Sequence, residues 1–470
     1  MKLNRNVVAE GYDFEESFYG KVALVLGSGA TGMSVIRWLS DTDVAIRLVE
    51  NDSNSSNLKK VKKLFPNVDI FCGPMDLKFF DGVDMVISSP GVPLSSFPYD
   101  ELIQKGVPVI GDIELFARDN EVHQNVKTVA ITGTNGKSTV TRMVEHVLKN
   151  MGLDALAVGN VGLPVLDVLC DIRDKKRPRP DVFVLELSSF QLDLTRFFDF
   201  DAVTVLNVSD DHLDRYVNFD DYAASKQRLF SGNSIKVVNV DDTLVSNMAS
   251  GTDKAIGYGL SAPTDSQLWG VKKIDGEMFL MRGDEAVCSW SECQVSGSHN
   301  LSNVLAALAL SDSVTPSDRR GLASIVSFRG LRHRMEKIRE IDGVSFYNDS
   351  KATNVGAATA AIQSLSEKCV VILGGDSKKQ DFSSMANILN NKARAVILIG
   401  KDSTRIKNML EDISVPILFA SDLSDAVMVS RGTSQRGDSI LLSPACASFD
   451  MFDDYAHRGD SFADLVRNLN

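Results

Sequence analysis

At 470 residues the chain is longer than one hydrophobic core supports, and its 44% hydrophobic and 24% charged residues are those of a folded globular protein of two to four domains. A net charge of −12, from 50 basic and 62 acidic residues, excludes a broad surface for nucleic acid or anionic membrane. Any anionic ligand must then be held by a local cluster of positive groups.

The apolar runs at 22–26, 182–185 and 396–399 are strand-sized, far short of a membrane span, and residues 1–5 are not followed by the apolar stretch of a secretion signal. The six cysteines lack paired metal-ligand spacing, and the nearest two, Cys288 and Cys293, have no second pair or histidine to complete a zinc site. A cytoplasmic protein with reduced, mostly buried thiols and no membrane insertion is expected.

Residues 21–32 run from strand through a glycine turn into a helix, with Gly27, Gly29 and Gly32 close to G-x-G-x-x-G. Such a turn offers backbone N–H groups at a helix N-terminus to any diphosphate, a nicotinamide dinucleotide included. A strand over 45–49 ends in Glu50-Asn51-Asp52, about where a ribose-binding acid is expected. The strand from Met85 ends in Pro90-Gly91, and residues 107–113 lead into a short acidic helix. Polar residues 118–127 mark the first domain boundary, so that domain is assigned to 1–120.

The sequence Val-Ala-Ile-Thr-Gly-Thr-Asn-Gly-Lys-Ser-Thr at 129–139 organises the rest of the chain. A β-branched strand over 128–131 precedes it. A helix from Ser138 follows, with Val140, Met143, Val144, Val147 and Leu148 at helical spacing. Gly133 and Gly136 let the backbone turn so that N–H groups face a polyphosphate, Lys137 adds charge, and the hydroxyl of Ser138 or Thr139 can reach a phosphate-bound magnesium. Ile131 stands where the full G-x-x-x-x-G-K-[ST] pattern has its first glycine, so this loop is a shorter form.

Farther on, the apolar strand at 181–190 is interrupted by Glu186, costly to bury without a cation or donor. The strand at 202–208 runs into Ser-Asp-Asp-His-Leu-Asp-Arg-Tyr. Ligands of doubly wound sheets sit beyond the carboxyl ends of strands, so Glu186 and His212 should face the same side as Lys137. The segment 220–230 reads as a helix and carries Lys226, which taken by itself is a charge on a solvated helix face. Residues 251–293 read as short polar strands without assignable chemistry. An alanine-rich helix opening at 296–304 carries Asn300 and Asn303 on neighbouring turns. From about Phe328, strands at 344–347, 370–373, 395–399 and 439–442 each end in a polar or glycine-rich loop, the pattern of another parallel α/β domain.

Nine segments together resemble the Mur ligase family of ATP-dependent amino-acid-adding enzymes of peptidoglycan synthesis, in the family's order and, with the Gly27–Gly32 loop, in all three domains. They are Gly-Thr-Asn-Gly-Lys-Ser-Thr (133–139), Gly-Asn-Val-Gly (159–162), Glu-Leu-Ser-Ser-Phe-Gln-Leu (186–192), Asp-His-Leu-Asp-Arg-Tyr (211–216), His-Asn-x-x-Asn (299–303), Gly-Leu-Arg-His-Arg (330–334), Asn-Asp-Ser-Lys-Ala-Thr-Asn (348–354), Gly-Gly-Asp-Ser-Lys (374–378) and Ser-Pro-Ala-Cys-Ala-Ser (443–448). The last three, with the Gly27–Gly32 loop, look like the member that adds D-glutamate. The resemblance implies three α/β domains: a Rossmann-like UDP-binding unit (1–120), a central P-loop ATPase unit with a parallel sheet (121–328), and a Rossmann-like C-terminal unit that binds the amino acid (329–470).

It also implies a reaction in which ATP phosphorylates the carboxylate of UDP-N-acetylmuramoyl-L-alanine and the amine of D-glutamate displaces phosphate from the acyl phosphate. Gly133, Thr134, Asn135, Gly136, Lys137, Ser138 and Thr139 would hold ATP, with Asn300 and Asn303 near adenine and Arg334 and Asp349 closing over the nucleotide. Two magnesium ions are implied, one on Ser138 or Thr139 and Glu186, the other on His212 and Lys226 with Asn160 beside them. A lysine ligand becomes an anion only as the carbamate, which the resemblance carries onto Lys226. Ser28, Ala30, Thr31, Glu50 and Asn51 would hold the UDP moiety, and Asn160 and His212 would also contact the UDP-linked substrate. Lys351, Thr353 and Lys378 fall to the α-carboxylate of D-glutamate, and Ser448 and the Tyr455 backbone, where the family has phenylalanine, to its side-chain carboxylate. Lys137, Glu186, His212, Lys226 and Lys351 form the catalytic set.

A monomer that closes its third domain over the site is expected. Competing readings are a nicotinamide oxidoreductase, which leaves the triphosphate loop and third domain unexplained; a folylpolyglutamate synthase-like ligase, which lacks the glycine-rich first domain; and a non-catalytic scaffold, which would have lost ligands that are all present here.

Overall fold

The computed structural model describes residues 18–119, 126–212, 215–251, 254–295, 297–315, 319–378 and 380–469. Expectations placed on residues 1–17, on the boundary stretch 120–125, and on Leu213, Asp214 and Ser296 lie outside the described residues.

Three sheets follow one another along the chain. In the first, β1 (Val22–Leu26), β2 (Ala45–Glu50), β3 (Asp69–Cys72), β4 (Met85–Ser88) and β5 (Val109–Ile110) lie in the order β3-β2-β1-β4-β5, all parallel. The glycine turn after β1 feeds helix α1 (Ala30–Leu39). A Cβ at Gly32 would stand 1.9 Å from the Gly27 carbonyl oxygen, so only glycine lets helix and turn approach this closely.

The central sheet holds β6 (Lys127–Thr132), β7 (Ala155–Gly159), β8 (Val182–Glu186), β9 (Ala202–Val205), β10 (Ile235–Asn239), β11 (Ala255–Tyr258), β12 (Trp269–Ile274), β13 (Glu277–Arg282) and β14 (Glu285–Ser289). Its order is β14-β13-β12-β11-β10-β9-β6-β8-β7, parallel except for β13 and β14, which extend it as antiparallel ribbons. Strand β6 lies between β8 and β9, and the loop after it opens over the sheet's carboxyl edge. Helix α2 (Lys137–Asn150) buries Val140, Met143, Val144, Val147 and Leu148 completely, the face its spacing predicts. Helices α3 (Phe219–Gln227) and α4 (Ser298–Val314) follow, and α4 buries an almost unbroken run from Val304 to Ser311 between α2 and the sheet.

In the third unit β15 (Glu336–Ile341), β16 (Val344–Asn348), β17 (Cys369–Gly374), β18 (Ala393–Ile399), β19 (Ile417–Phe419) and β20 (Ser439–Leu442) form the order β15-β16-β20-β17-β18-β19, with β15 antiparallel. Helix α5 (Val355–Ser364) follows β16, and α6 (Tyr455–Arg467) closes the unit.

The mixed α/β class and the parallel-sheet cores agree with the sequence reading, and three elements differ in extent. The strand expected over 181–190 ends at Glu186, because Ser188 caps a short helix, Ser189–Asp193, its side chain accepting from Gln191 N–H. The strand expected to reach 208 ends at Val205, because the next residues bond the phosphate loop: Leu206 N–H donates to Thr132 O (2.9 Å) and Thr134 N–H to Asn207 O (2.9 Å). The helix expected to reach Phe230 stops at Gln227 and tightens into a 3-10 turn, Arg228–Ser231. The cysteines are free; Cys72 is exposed, Cys293 half-buried and the other four buried.

Candidate active site

Gly133 and Gly136 sit at φ 153° and 85°, and the loop they bend is held from behind. Asn135 N–H donates to Asn207 Oδ1 (2.8 Å), and Asn207 Nδ2 returns a bond to Asn135 O (3.1 Å). A Cβ at Gly136 would lie 2.5 Å from Asn303 Oδ1, so α4 packs onto the loop only because no side chain intervenes. Asn303 Nδ2 in turn faces Asn300 Oδ1 at 3.4 Å. Thr134 Oγ1 shares a 3.0 Å bond with the Tyr222 hydroxyl. Ser138 and Thr139 are buried in the first turn of α2, where N–H groups and the helix dipole favour an anion.

Two lysines converge on this loop. Lys137 Nζ donates to the carbonyls of Gly133 and Thr134 (2.8 Å each), and Lys226 Nζ reaches the same Gly133 oxygen at 2.9 Å. Lys226, which taken by itself reads as a charge on a solvated helix face, is instead 1% exposed, with Nζ 4.6 Å from the Tyr222 ring centre. Helix α3 turns Tyr222, Ala223, Ser225 and Lys226 inward and leaves Asp220, Asp221 and Gln227 exposed, so Lys226 shares the buried side of the helix with Tyr222. Burial lowers the basicity of both amines. For Lys226 the nearby Lys137 charge adds to the fall, while for both lysines Asp211 acts in the opposite sense.

Glu186 ends β8 at 2% exposure. Its Oε1 accepts from Asn160 Nδ2 at 2.7 Å, and its Oε2 has no hydrogen-bond partner among the described residues. A buried carboxylate oxygen left so is costly and fits a cation. No group of three or more His, Cys, Asp or Glu placed to hold a metal ion occurs among the described residues, so a metal here would depend on this carboxylate, hydroxyls and phosphate oxygens, as magnesium sites commonly do. His212 adopts φ 55°, its Nε2 3.8 Å from Asp211 Oδ2 and its ring edge-on to Phe190 at 4.9 Å.

The third unit reaches into this pocket. Half-buried Arg334 donates to Ser138 Oγ at 2.9 Å. Asp349 accepts from Ser443 Oγ (2.8 Å) and Met335 N–H (3.2 Å), yet burial pushes its carboxyl up to about 7. Lys351 Nζ lies 3.8 Å from the Tyr455 ring centre, and burial, helped by the Arg334 charge, brings it down to about 8. Thr353 is half-buried two residues on. Lys378, at φ 48°, follows β17; Ser448 is buried after β20; and Tyr455 opens α6, its carbonyl accepting from Ser350 Oγ at 2.8 Å.

The first-domain candidates form their own cluster. Ser28 N–H and Oγ both donate to Glu50 Oε2 (2.8 and 2.5 Å), and although burial opposes it, these bonds hold the Glu50 carboxyl below its ordinary value. Ala30 and Asn51 are exposed and Thr31 half-buried beside them. Arg215 joins this domain to the His212 loop, its guanidinium 3.3 Å from the carbonyls of Pro90 and Gly91 and 4.4 Å from the Phe190 ring centre.

Sequence reasoning gave no role to Asn207, Asp211, Arg215 or Asn354. Asn207 is a polar residue just past an apolar strand, and Asp211, Arg215 and Asn354 lie inside the motifs at 211–216 and 348–354, the signals that could have singled them out.

Comparison with known proteins gives three family matches: the Mur ligase MurD-like N-terminal domain over residues 21–111, the Mur ligase middle domain over 131–311 and the Mur ligase glutamate ligase domain over 333–446. Among curated relatives, a UDP-N-acetylmuramoylalanine--D-glutamate ligase of Nitrosomonas europaea is 41% identical over 457 residues, 96% of this chain and 97% of its own. One of the same name from Thiobacillus denitrificans is 42% identical over 463 residues, with the same shares. A solved structure of a UDP-N-acetylmuramate-alanine ligase from Thermotoga maritima shares the fold with a TM-score of 0.57 at 19% identity, covering 95% of this chain and 99% of its own.

Proposed function

The chain belongs to the Mur ligase family, and from that premise we propose that it joins D-glutamate to UDP-N-acetylmuramoyl-L-alanine at the expense of ATP, a step of peptidoglycan precursor synthesis. The convergence of Lys137, Glu186, Lys226, Arg334 and Lys351 from two modules on one phosphate loop carries this reading. Residues 1–120 hold the UDP moiety, 121–328 the nucleotide, and 329–470 the amino acid. No helix among the described residues is long and apolar enough to cross a membrane, and we place the reaction, carried out by the monomer, in the cytoplasm.

A carboxylate is a poor acyl donor because its oxygen leaves badly. Attack of the UDP-substrate's carboxylate oxygen on the γ-phosphorus of ATP expels ADP and turns that oxygen into phosphate. The D-glutamate amine then adds to the acyl carbon, and the tetrahedral adduct collapses to amide and phosphate. The reactants are all anions, so the chain's task is to neutralise and align them. Lys137 and the loop N–H groups grip the β- and γ-phosphates, Arg334 covers the γ-phosphate from the third module, and Asn300 and Asn303 bracket the adenine. Lys351, Thr353 and Lys378 receive one carboxylate of D-glutamate, and Ser448 and the Tyr455 backbone the other.

The partnerless Glu186 Oε2 fits a magnesium ion, which Glu186 and Ser138 or Thr139 would hold; His212 and carbamylated Lys226, with Asn160 near, would hold a second. Bound magnesium supplies positive charge that offsets the phosphates. Burial keeps the Lys226 amine neutral enough to attack carbon dioxide, giving a carbamate and a released proton. Phosphate release from ATP, measured with UDP-N-acetylmuramoyl-L-alanine and each of D-glutamate, L-glutamate and L-lysine, tests the assignment. Release dependent on D-glutamate is expected, and equal or greater release with either other amino acid overturns it.

A further inference from the structure

The segment that carries Asp349, Lys351 and Thr353 ends at Asn354, the residue that caps α5. Its Oδ1 accepts from Ala357 N–H at 2.8 Å. Its amide nitrogen has two hydrogens, and both leave the third module: Nδ2 donates to Asn135 Oδ1 of the phosphate loop (3.2 Å) and to Asp211 Oδ2 beside His212 (3.1 Å). Asn354 is 4% exposed, so these bonds form away from bulk water. The next turn fits as tightly, since a Cβ on Gly356 would stand 3.4 Å from Ser209 Oγ and 3.7 Å from Asn135 Nδ2.

Both acceptors are themselves fixed. Asn135 is held through its backbone by Asn207, and Asp211 Oδ1 accepts the N–H of His212 at 2.9 Å. One side chain therefore touches the loop that cradles the polyphosphate and the loop that carries His212, while its own backbone leads back to the amino-acid lysine three residues earlier.

We infer that Asn354 is a positioning residue that locks the amino-acid-binding segment onto the nucleotide loop, so that Lys351 and Thr353 hold D-glutamate against the nucleotide and the UDP-substrate only when the third module has docked. The inference rests on the ligase reading above. It assigns Asn354 no contact with any reactant; its work is to fix where Lys351 and Thr353 stand relative to the phosphate loop.

Two substitutions separate the bridge from the helix cap. Asn354→Ser retains a capping oxygen for Ala357 N–H but removes both outward donors. Asn354→Asp also caps, and puts an acceptor where Asp211 already presents a carboxylate. The Michaelis constants for D-glutamate, UDP-N-acetylmuramoyl-L-alanine and ATP are measured for wild type and both variants, with thermal melts and small-angle scattering in the presence of ADP and UDP-substrate. The expected result is a D-glutamate KM raised about tenfold in Asn354→Ser and more in Asn354→Asp, the UDP-substrate KM unchanged, melting within a few degrees of wild type, and a larger scattering radius than liganded wild type. A wild-type D-glutamate KM in Asn354→Ser, or equal rises in all three constants, overturns the lock. Should Asn354→Ser fail to fold, Asn354→Asp decides by the same constants. A wild-type enzyme that does not use D-glutamate in this assay would instead remove the ligase reading itself.

Discussion

The first and central units meet through a continuous apolar core, whereas the third meets the central one mostly through polar bonds, with Leu331 its apolar contribution to the central cluster. One cluster of buried side chains runs from Trp38, Leu48 and Phe116 in the first unit to Ala130, Leu166 and Phe183 in the central one. Backbone joins them too: Gly111 N–H donates to Leu194 O (3.0 Å), and Glu114 accepts from the N–H groups of Arg196 (2.6 Å) and Phe197 (2.9 Å). On the other side, the two apolar clusters of the third unit remain inside it, and the contact is made by groups such as Arg334 on Ser138 and Asn354 on Asn135 and Asp211. Apolar area withdrawn from water favours one fixed arrangement, while hydrogen bonds exchange against water at a small net cost. The same chain thus carries one junction suited to permanence and one suited to opening.

The largest expected effect lies in the pocket that the movable junction covers. Lys226→Ala should lower kcat by on the order of a thousandfold, with partial recovery on addition of a short carboxylic acid that replaces the carbamate. Steady-state rates with and without acetate check this, and an unchanged rate would discard the carbamate. Scattering curves of the free protein and of the protein with nucleotide and UDP-substrate should differ through the third unit alone; identical curves would erase the distinction between the junctions.

The permanent junction breaks at Trp38. The ring is 2% exposed, edge-on to Phe18 at 5.6 Å, under the Arg173 guanidinium at 5.1 Å, and its Nε1 donates to Asp119 Oδ2 at 3.2 Å. Trp38→Ala removes all of this and should cost about 3–4 kcal/mol. Because the core is shared, the first and central units should lose stability together in one denaturation transition. Two separate transitions would mean the apolar cluster does not couple them.

Why some of this was legible in the sequence and some was not follows from the same distinction. The phosphate loop, α2 and the apolar strands β1, β8, β18 and β20 declare themselves locally, since glycine spacing and apolar periodicity are properties of neighbours in the chain. Strands β3, β5 and β19, of two to four residues, and the partly exposed edge strand β15 did not stand out, because half-exposed edges carry little pattern. The burial of Lys226 was hidden for another reason: it depends on β6, β8 and α3 meeting, contacts that separate residues by dozens of positions. Asp211 and Asn354 lay inside recognised motifs, yet their bond to each other spans 143 residues.

A smaller effect comes from pH. Lys351, brought down to about 8 by burial and by Arg334, is charged below that value and neutral above it. An amino acid with two carboxylates prefers the charged form, so its binding is fully supported well below pH 8 and weakens as pH rises through it. The D-glutamate KM should climb up to tenfold per pH unit above 8 while the ATP KM stays flatter. A pH-independent D-glutamate KM between 7 and 9.5 would remove Lys351 from the carboxylate site.

The smallest effect is expected at the charged rim of the permanent junction. Arg37 of α1 meets Asp171 (2.7 Å), Asp174 (3.1 Å) and Asp167 (3.4 Å) of the central unit. Burial works against the charge, yet the carboxylates win and raise its basicity further. The geometry looks decisive, but the guanidinium side chain keeps 28% of its surface in water and Asp174 keeps 39%, so solvent and salt screen most of the attraction. Arg37→Ala should therefore cost below about 1 kcal/mol, a loss that shrinks toward zero in 0.5 M salt. Urea melts of wild type and variant at two salt concentrations check it. A loss as large as that of Trp38→Ala would mean that charge rather than apolar burial holds the first two units together.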